Sequence, residues 1–166
     1  MRVLILINLT KFLPGPDVLE IEKAKKRGSY RVQEVLYKLR EDFFDKCYIC
    51  ESKVNNVNVE HRIAHKDDRN LMFDWNNLYW SCFHCNNLKN KFYDNILDCT
   101  NEITKIDESI IHDYDVFPLA TPSISSIIDQ DKYIITAQLV HAVFNGSTPL
   151  KTIEAEILNE NLFDEM

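Results

Sequence analysis

The chain has 166 residues, 45% of them hydrophobic and 27% charged, with a net charge of −7. That suffices for one soluble domain with a sizeable core and excludes a disordered or low-complexity chain. No apolar run approaches the roughly 18 residues of a membrane helix, so no membrane partner is expected and the cytoplasm is the expected location. The apolar start, Val3–Ile7, is too short for a signal-peptide core and reads as a buried strand or a partner contact.

The net charge hides an asymmetry. Residues 1–93 carry 16 Lys and Arg against 12 Asp and Glu, whereas residues 94–166 carry 3 against 14. A basic front half and an acidic back half point to different partners for each.

Pro14-Gly15-Pro16 ends the opening segment, and Asp17 is placed to cap a helix over about 18–27 that stops at Gly28. A second helix starts at Ser29 or Tyr30, with Val32, Val35, Leu36, Leu39 and Phe43 repeating at three and four. As a set, Lys23 to Arg27 with Arg31, Lys38 and Arg40 are candidates to meet phosphate, although a solvated face explains each charge alone. Residues 54–64 turn β-like, 66–70 read as a polar loop, and Leu71–Phe73 with Trp75 read as core. Leu78–Trp80 is a second short strand, and a helix is expected over Asn86–Tyr93. Beyond 94, a strand is expected within Ser109–Phe117, a helix over about 129–144 stopped by Asn145-Gly146, and a last helix over about 149–162 capped by Thr148.

The chain divides into residues 1–46, a segment packing on the core; 47–93, where the chemistry concentrates; and 94–166, acidic and mostly helical. Its fold class is α+β. Four of the five cysteines form two knuckles, Cys47-x-x-Cys50 and Cys82-x-x-Cys85. Each knuckle places two thiolates on one tight turn, and together they supply a tetrahedral zinc site. This pattern favours metal ligation in a reducing compartment over disulfides. Cys99 is left as a buried small hydrophobe.

The gap between the knuckles holds Val59-Glu60-His61-Arg62 and Trp75-Asn76-Asn77-Leu78, and Asn86 and Lys89 follow the second knuckle. Glu60-His61, Asn77 five residues before the second knuckle, and Cys85-Asn86-x-x-Lys89 resemble the HNH endonuclease family, also called ββα-metal nucleases. Over a longer stretch, Tyr48–Glu51, Phe73–Leu78 and Cys85-Asn86 look like the HNH subunit of Septu-type and retron-associated anti-phage systems. The resemblance implies a zinc-stapled ββα-metal core flanked by N-terminal and C-terminal helices. It also implies an ABC-type ATPase as partner. DNA is the expected substrate, with RNA left open, and the charge asymmetry suggests that the basic front faces nucleic acid while residues 94–166 dock on the ATPase.

The residues fit that chemistry. His61 is a neutral imidazole able to take a proton from water. Glu60 and Asn86 offer hard oxygen ligands suited to Mg²⁺ or Mn²⁺. Neighbours on a strand point to opposite faces, so an irregular backbone is expected where Glu60 and His61 serve one site. In the family the middle asparagine closes the loop with a hydrogen bond, and Asn77 matches it. Lys89 is expected to steady the phosphate or leaving oxygen, and Arg62, Lys89 and Lys91 are the expected nucleic-acid contacts. Family members often carry Asp or His where Glu60 stands and His where Asn86 stands. His65, His84, His112 and His141 are read as non-catalytic.

Two other readings compete. Cys47-x-x-Cys50 with His61-x-x-x-His65 suggests a two-cysteine, two-histidine finger, which leaves Cys82 and Cys85 unexplained. An adaptor with a degenerate site would bind nucleic acid or a partner and cut nothing.

Overall fold

The structure, a computed structural model, describes residues 9–53, 55–90, 92–113 and 122–164. The opening strand expected over 3–7 lies outside these, as do Val54, Lys91 and residues 114–117 of the expected strand. Among the described residues the fold is α+β, with two small two-stranded antiparallel sheets among helices. Among the described residues no helix is long and apolar enough to cross a membrane.

The first helix, α1, spans Val18–Ala24, shorter than its charge pattern suggests. Lys25 turns extended and ends it, and the carbonyls of Glu22, Lys23 and Lys25 are taken by the distant Arg69 guanidinium. A side chain thus supplies the partners that a continued helix would have supplied. Gly28 closes the turn, because a Cβ there would fall 1.7 Å from the Glu22 carbonyl oxygen. α2, Gln33–Asp42, begins later than Ser29 and buries Val35 and Leu39, with Phe43 following. The expected apolar face is therefore the one that packs.

β1 (Val57–His61) pairs with β2 (Leu78–Cys82), from Val57 opposite Cys82 to His61 opposite Leu78. Between them, the expected polar loop is partly helical: Asp68 accepts a bond from the Asn70 amide and caps α3, Arg69–Met72. Asp74 does the same for a 3-10 turn over Trp75–Asn77. α4 spans Phe83–Lys89, starting earlier and ending sooner than the Asn86–Tyr93 helix expected, because Cys82 itself is the cap.

In the back half, the short α5 (Ile106–Ser109) leads into β3 (Ile110–Asp113), which pairs with β4 (Ser123–Ser126). α6, Asp131–Asn145, stops at Gly146 in the left-handed region (φ 72°), as its sequence predicts. α7, Pro149–Asp164, is N-capped by the Thr148 hydroxyl, which accepts from the Lys151 amide. One buried cluster runs from Leu19, Leu39 and Phe43 through Tyr79 and Leu88 to Leu139, Val143 and Phe144. Polar bonds also cross between the halves. Tyr79 donates to Asp98 at 2.6 Å, and His84 pairs Nδ1 with Glu154 while Nε2 donates to the Val143 carbonyl.

Candidate active site and metal centre

The two knuckles meet at the Val57/Cys82 end of the hairpin. Around the first, the Glu51 amide donates to the Cys47 carbonyl at 2.8 Å, with Glu51 at φ 57° to make the turn tight. The Tyr48 amide donates to the Trp80 carbonyl at 2.9 Å, laying this knuckle beside β2. At the second, Cys82 Sγ accepts from the Cys85 amide at 3.3 Å. All four sulfurs lie within 4.8 Å of one another and all four residues are buried. Tetrahedral zinc with bonds of about 2.3 Å holds its sulfurs about 3.8 Å apart, and Cys50 and Cys82 sulfurs are 3.9 Å apart. The donor set therefore fits, and the four cysteines can hold a metal ion such as zinc. Burial opposes ionisation of Cys47, but hydrogen bonds from the other three thiols outweigh it and hold its pKa well below a free thiol's. Burial, then contact with the thiols of Cys47, Cys50 and Cys82, pushes Cys85 up. Cys99 stands outside the cluster, buried as expected, and burial raises its thiol as well.

At the other end of the hairpin, Glu60, His61, Asn86 and Lys89 line one cleft of about 380 Å³. The irregular backbone expected at Glu60 and His61 is not what brings them there, for the ladder keeps register through His61. The cleft opens around the end of β1, with α4 as its other wall, so it reaches both faces of the strand. The chain leaves the ladder at Ile63. There the buried Asn77 amide takes over, its Oδ1 accepting from the Ile63 N–H at 2.8 Å and its Nδ2 donating to the carbonyls of Ile63 and Leu71. Asn77 thus ties both sides of the loop between the strands.

His61 is buried, with the edges of Tyr30 and His65 against its ring, both at centroid distances of 4.6 Å. Its Nε2 lies 3.0 Å from the Met72 carbonyl. A carbonyl only accepts, so Nε2 carries the proton and Nδ1 keeps the lone pair. Burial lowers the His61 pKa to about 4, so the ring is neutral near pH 7. Burial raises Glu60 above the usual carboxylate value, and Lys89 partly offsets it.

Lys89 is almost fully enclosed, and its ammonium donates to Glu60 Oε1 at 2.9 Å and to the His61 carbonyl at 3.0 Å. It is therefore committed inside the cleft wall rather than projecting from the helix. Arg62 also turns inward, donating to the Ile96 carbonyl at 2.9 Å and pairing with Asp98 at 3.6 Å. Lys91, the third expected nucleic-acid contact, lies outside the described residues. Of the basic set on the front helices, Lys38 pairs with Glu41 and Asp42, Arg40 with Asp45, and Lys23 with Glu20.

Two cleft neighbours were not expected. His65 lines the cleft, and Tyr30 reaches His61 from the turn before α2. The four-residue step from His61 to His65 was visible in the sequence, but nothing local brings Tyr30, thirty-one residues upstream, to His61. Comparison with family models, with curated proteins and with solved structures finds no match.

Proposed function

We propose that this protein is a metal-dependent endonuclease of the HNH, or ββα-metal, type, hydrolysing phosphodiester bonds of DNA. The observation that carries the reading is the hairpin with two chemistries: four convergent sulfurs at one end, and at the other a cleft holding Glu60, His61 and Asn86. In this reading zinc in the four-cysteine site is structural and staples the first knuckle to β2 and α4. The oxygens left to hold a catalytic Mg²⁺ or Mn²⁺ are Glu60 Oε2, since Lys89 takes Oε1, and the Asn86 side-chain carbonyl. Such a cation supplies positive charge to a non-bridging phosphate oxygen as charge builds there.

The protein's own groups do the rest. His61 Nδ1 takes one proton from water as the water oxygen attacks phosphorus. The phosphorus–oxygen bond opposite breaks, and the leaving oxygen picks up a proton from solvent. The Met72 carbonyl holds the tautomer that leaves Nδ1 free, and Tyr30 and His65 hold the ring's plane. Asn77 keeps the loop carrying the Met72 carbonyl in place. Lys89 anchors Glu60 rather than touching phosphate. The resemblance to Septu-type subunits extends the proposal to an anti-phage complex with an ABC-type ATPase, in which the acidic residues 94–166 meet the partner.

The test is hydrolysis of plasmid DNA and of bis(p-nitrophenyl) phosphate with Mg²⁺ or Mn²⁺, with EDTA as control. The expected result is metal-dependent cleavage that His61→Ala lowers by about 10²–10⁴-fold, with folding and zinc content unchanged. Cleavage persisting in His61→Ala removes that residue from its role. A wild-type protein that binds DNA but cleaves neither substrate, alone or with its ATPase, leaves a zinc-stabilised binding or adaptor module instead.

A further inference from the structure

His65 is held in the cleft more deliberately than packing against His61 requires. Its ring meets the His61 ring edge-on at 4.6 Å and 64°, and it lines the same cleft as Glu60 and Asn86. The Asp67 amide donates to His65 Nδ1 at 3.1 Å, and the Asp68 amide to the His65 carbonyl at 2.8 Å. Both bonds depend on a turn in which Lys66 (φ 46°) and Asp67 (φ 66°) adopt left-handed backbone without being glycine, a conformation that L side chains disfavour. The turn thus fixes one ring's orientation and its tautomer together. With Nδ1 accepting, the proton sits on Nε2, which points away from the turn.

Two neighbouring donors of the cleft are already engaged. The His61 N–H is spent on the Met72 carbonyl, and the Lys89 ammonium on Glu60 and the His61 carbonyl. We propose that His65 is a substrate-contacting residue of this cleft, its neutral Nε2–H donating to a non-bridging oxygen of the bound phosphodiester. This rests on the nuclease reading and adds to it a residue and a role. The same geometry argues against His65 as the acid that protonates the leaving oxygen. An acid would need N–H at both nitrogens, setting Nδ1–H against the Asp67 N–H.

Three variants separate the donor from the ring: His65→Phe keeps an aromatic edge on His61 without an N–H, His65→Gln restores an N–H near Nε2, and His65→Ala removes both. Each is assayed, in the full-length protein with Mg²⁺ or Mn²⁺, for kcat and KM on a labelled DNA duplex across pH 6–9. Duplex affinity in EDTA, zinc content and near-ultraviolet circular dichroism are measured alongside. A lost hydrogen bond to a charged group predicts a fall in kcat/KM of about 10- to 100-fold for Phe and Ala, with Gln recovering most of it. The pH profile of His65→Phe should run parallel to that of the wild type. Phe matching the wild type would make His65 a packing partner only, and Gln no better than Phe would assign the effect to ring shape. A basic limb lost in Phe would make His65 the acid after all. All three outcomes overturn the proposal while cleavage by the wild type leaves the nuclease reading standing. A wild type that neither cuts nor binds the duplex removes both.

Discussion

At one end of the β1–β2 hairpin, Val57 faces Cys82 and four sulfurs converge; at the other, about 13 Å away along the strand, His61 faces Leu78 beside a polar cleft. The sulfur end is assembled from short-range geometry. Each knuckle carries its own turn, and the only long-range demand is that the two turns meet. The histidine end is assembled from distant pieces. His61 depends on a carbonyl eleven residues on and a ring thirty-one residues back, and Glu60 on a lysine twenty-nine residues on. α4 joins the two ends, since its first turn caps on Cys82 while Lys89, about 10 Å along, reaches Glu60 and the His61 carbonyl. A metal at one end would therefore set the angle of the helix that positions the other.

Removing the metal is the strongest way to break this comparison. Structural zinc contributes about 10–16 kcal/mol in small finger peptides, comparable to the whole net stability of an ordinary domain. Chelation, or Cys85→Ser, should melt the hairpin and α4 and abolish cleft chemistry, while α6 and α7 keep part of their helical signal through Leu139, Val143 and Phe144. Circular dichroism with a zinc-release assay reads both. A metal-free protein with an unchanged near-ultraviolet spectrum would show that sulfur convergence does not hold the hairpin.

Lys89→Met attacks the join without touching a sulfur. It strips the cation from a carboxylate that burial already disfavours in its charged form and leaves the His61 carbonyl without its donor. The expected loss is about 3 kcal/mol, moderated because Glu60 can protonate, and urea denaturation at pH 7 measures it. Zinc affinity should be nearly unchanged. A fall in zinc affinity as large as the fall in stability would mean that the two ends are not separable.

Asn77→Ala should cost about 2 kcal/mol, because it removes three hydrogen bonds and strands the N–H and C=O of Ile63. Its effect belongs to the histidine end alone, loosening the loop that carries the Met72 carbonyl. Hydrogen exchange should therefore rise over residues 62–73 and stay as before around Cys47–Cys50.

The same contrast explains what the sequence disclosed. The knuckles, the strand around Val59, the α2 face and the α6 stop at Gly146 rest on local spacing, period or backbone preference, and all are where the pattern places them. So is the convergence of the four cysteines. The early end of α1 was not legible, because its cause is Arg69, more than forty residues away. The start of α4 was missed because a cysteine does the capping that Ser or Asp does elsewhere, and α3 because its cap lies within a stretch that reads as polar loop. β4 was missed because Ser123–Ser126 buries only Ile124 and gains its strand partner in β3. The sequence named Glu60, His61, Asn86 and Lys89, which line one cleft, but not the orientation of Lys89 and Arg62. Their charge suggested phosphate, and the fold spends it on Glu60, Asp98 and main-chain carbonyls.

The smallest expected effect lies in the pH dependence of cleavage, and it isolates the histidine end. Burial of His61, with help from nearby cationic side chains including Lys89, lowers its pKa to about 4 against 6.5 for a free histidine. In the proposed mechanism the active form is the neutral ring, so kcat/KM should be retained above the folded pKa and lost as pH falls through it. Between pH 7 and 5.5 an ordinary histidine would lose about tenfold in its neutral fraction, whereas His61 should lose almost nothing. Lys89→Met removes one of the charges that depress His61, so the acid limb should move upward. An acid limb near 6.5 in the wild type would mean that the ring is more open to water in solution than its packing against Tyr30 and His65 implies. A limb that stays put in Lys89→Met would remove Lys89 from the causes and leave burial as the main one.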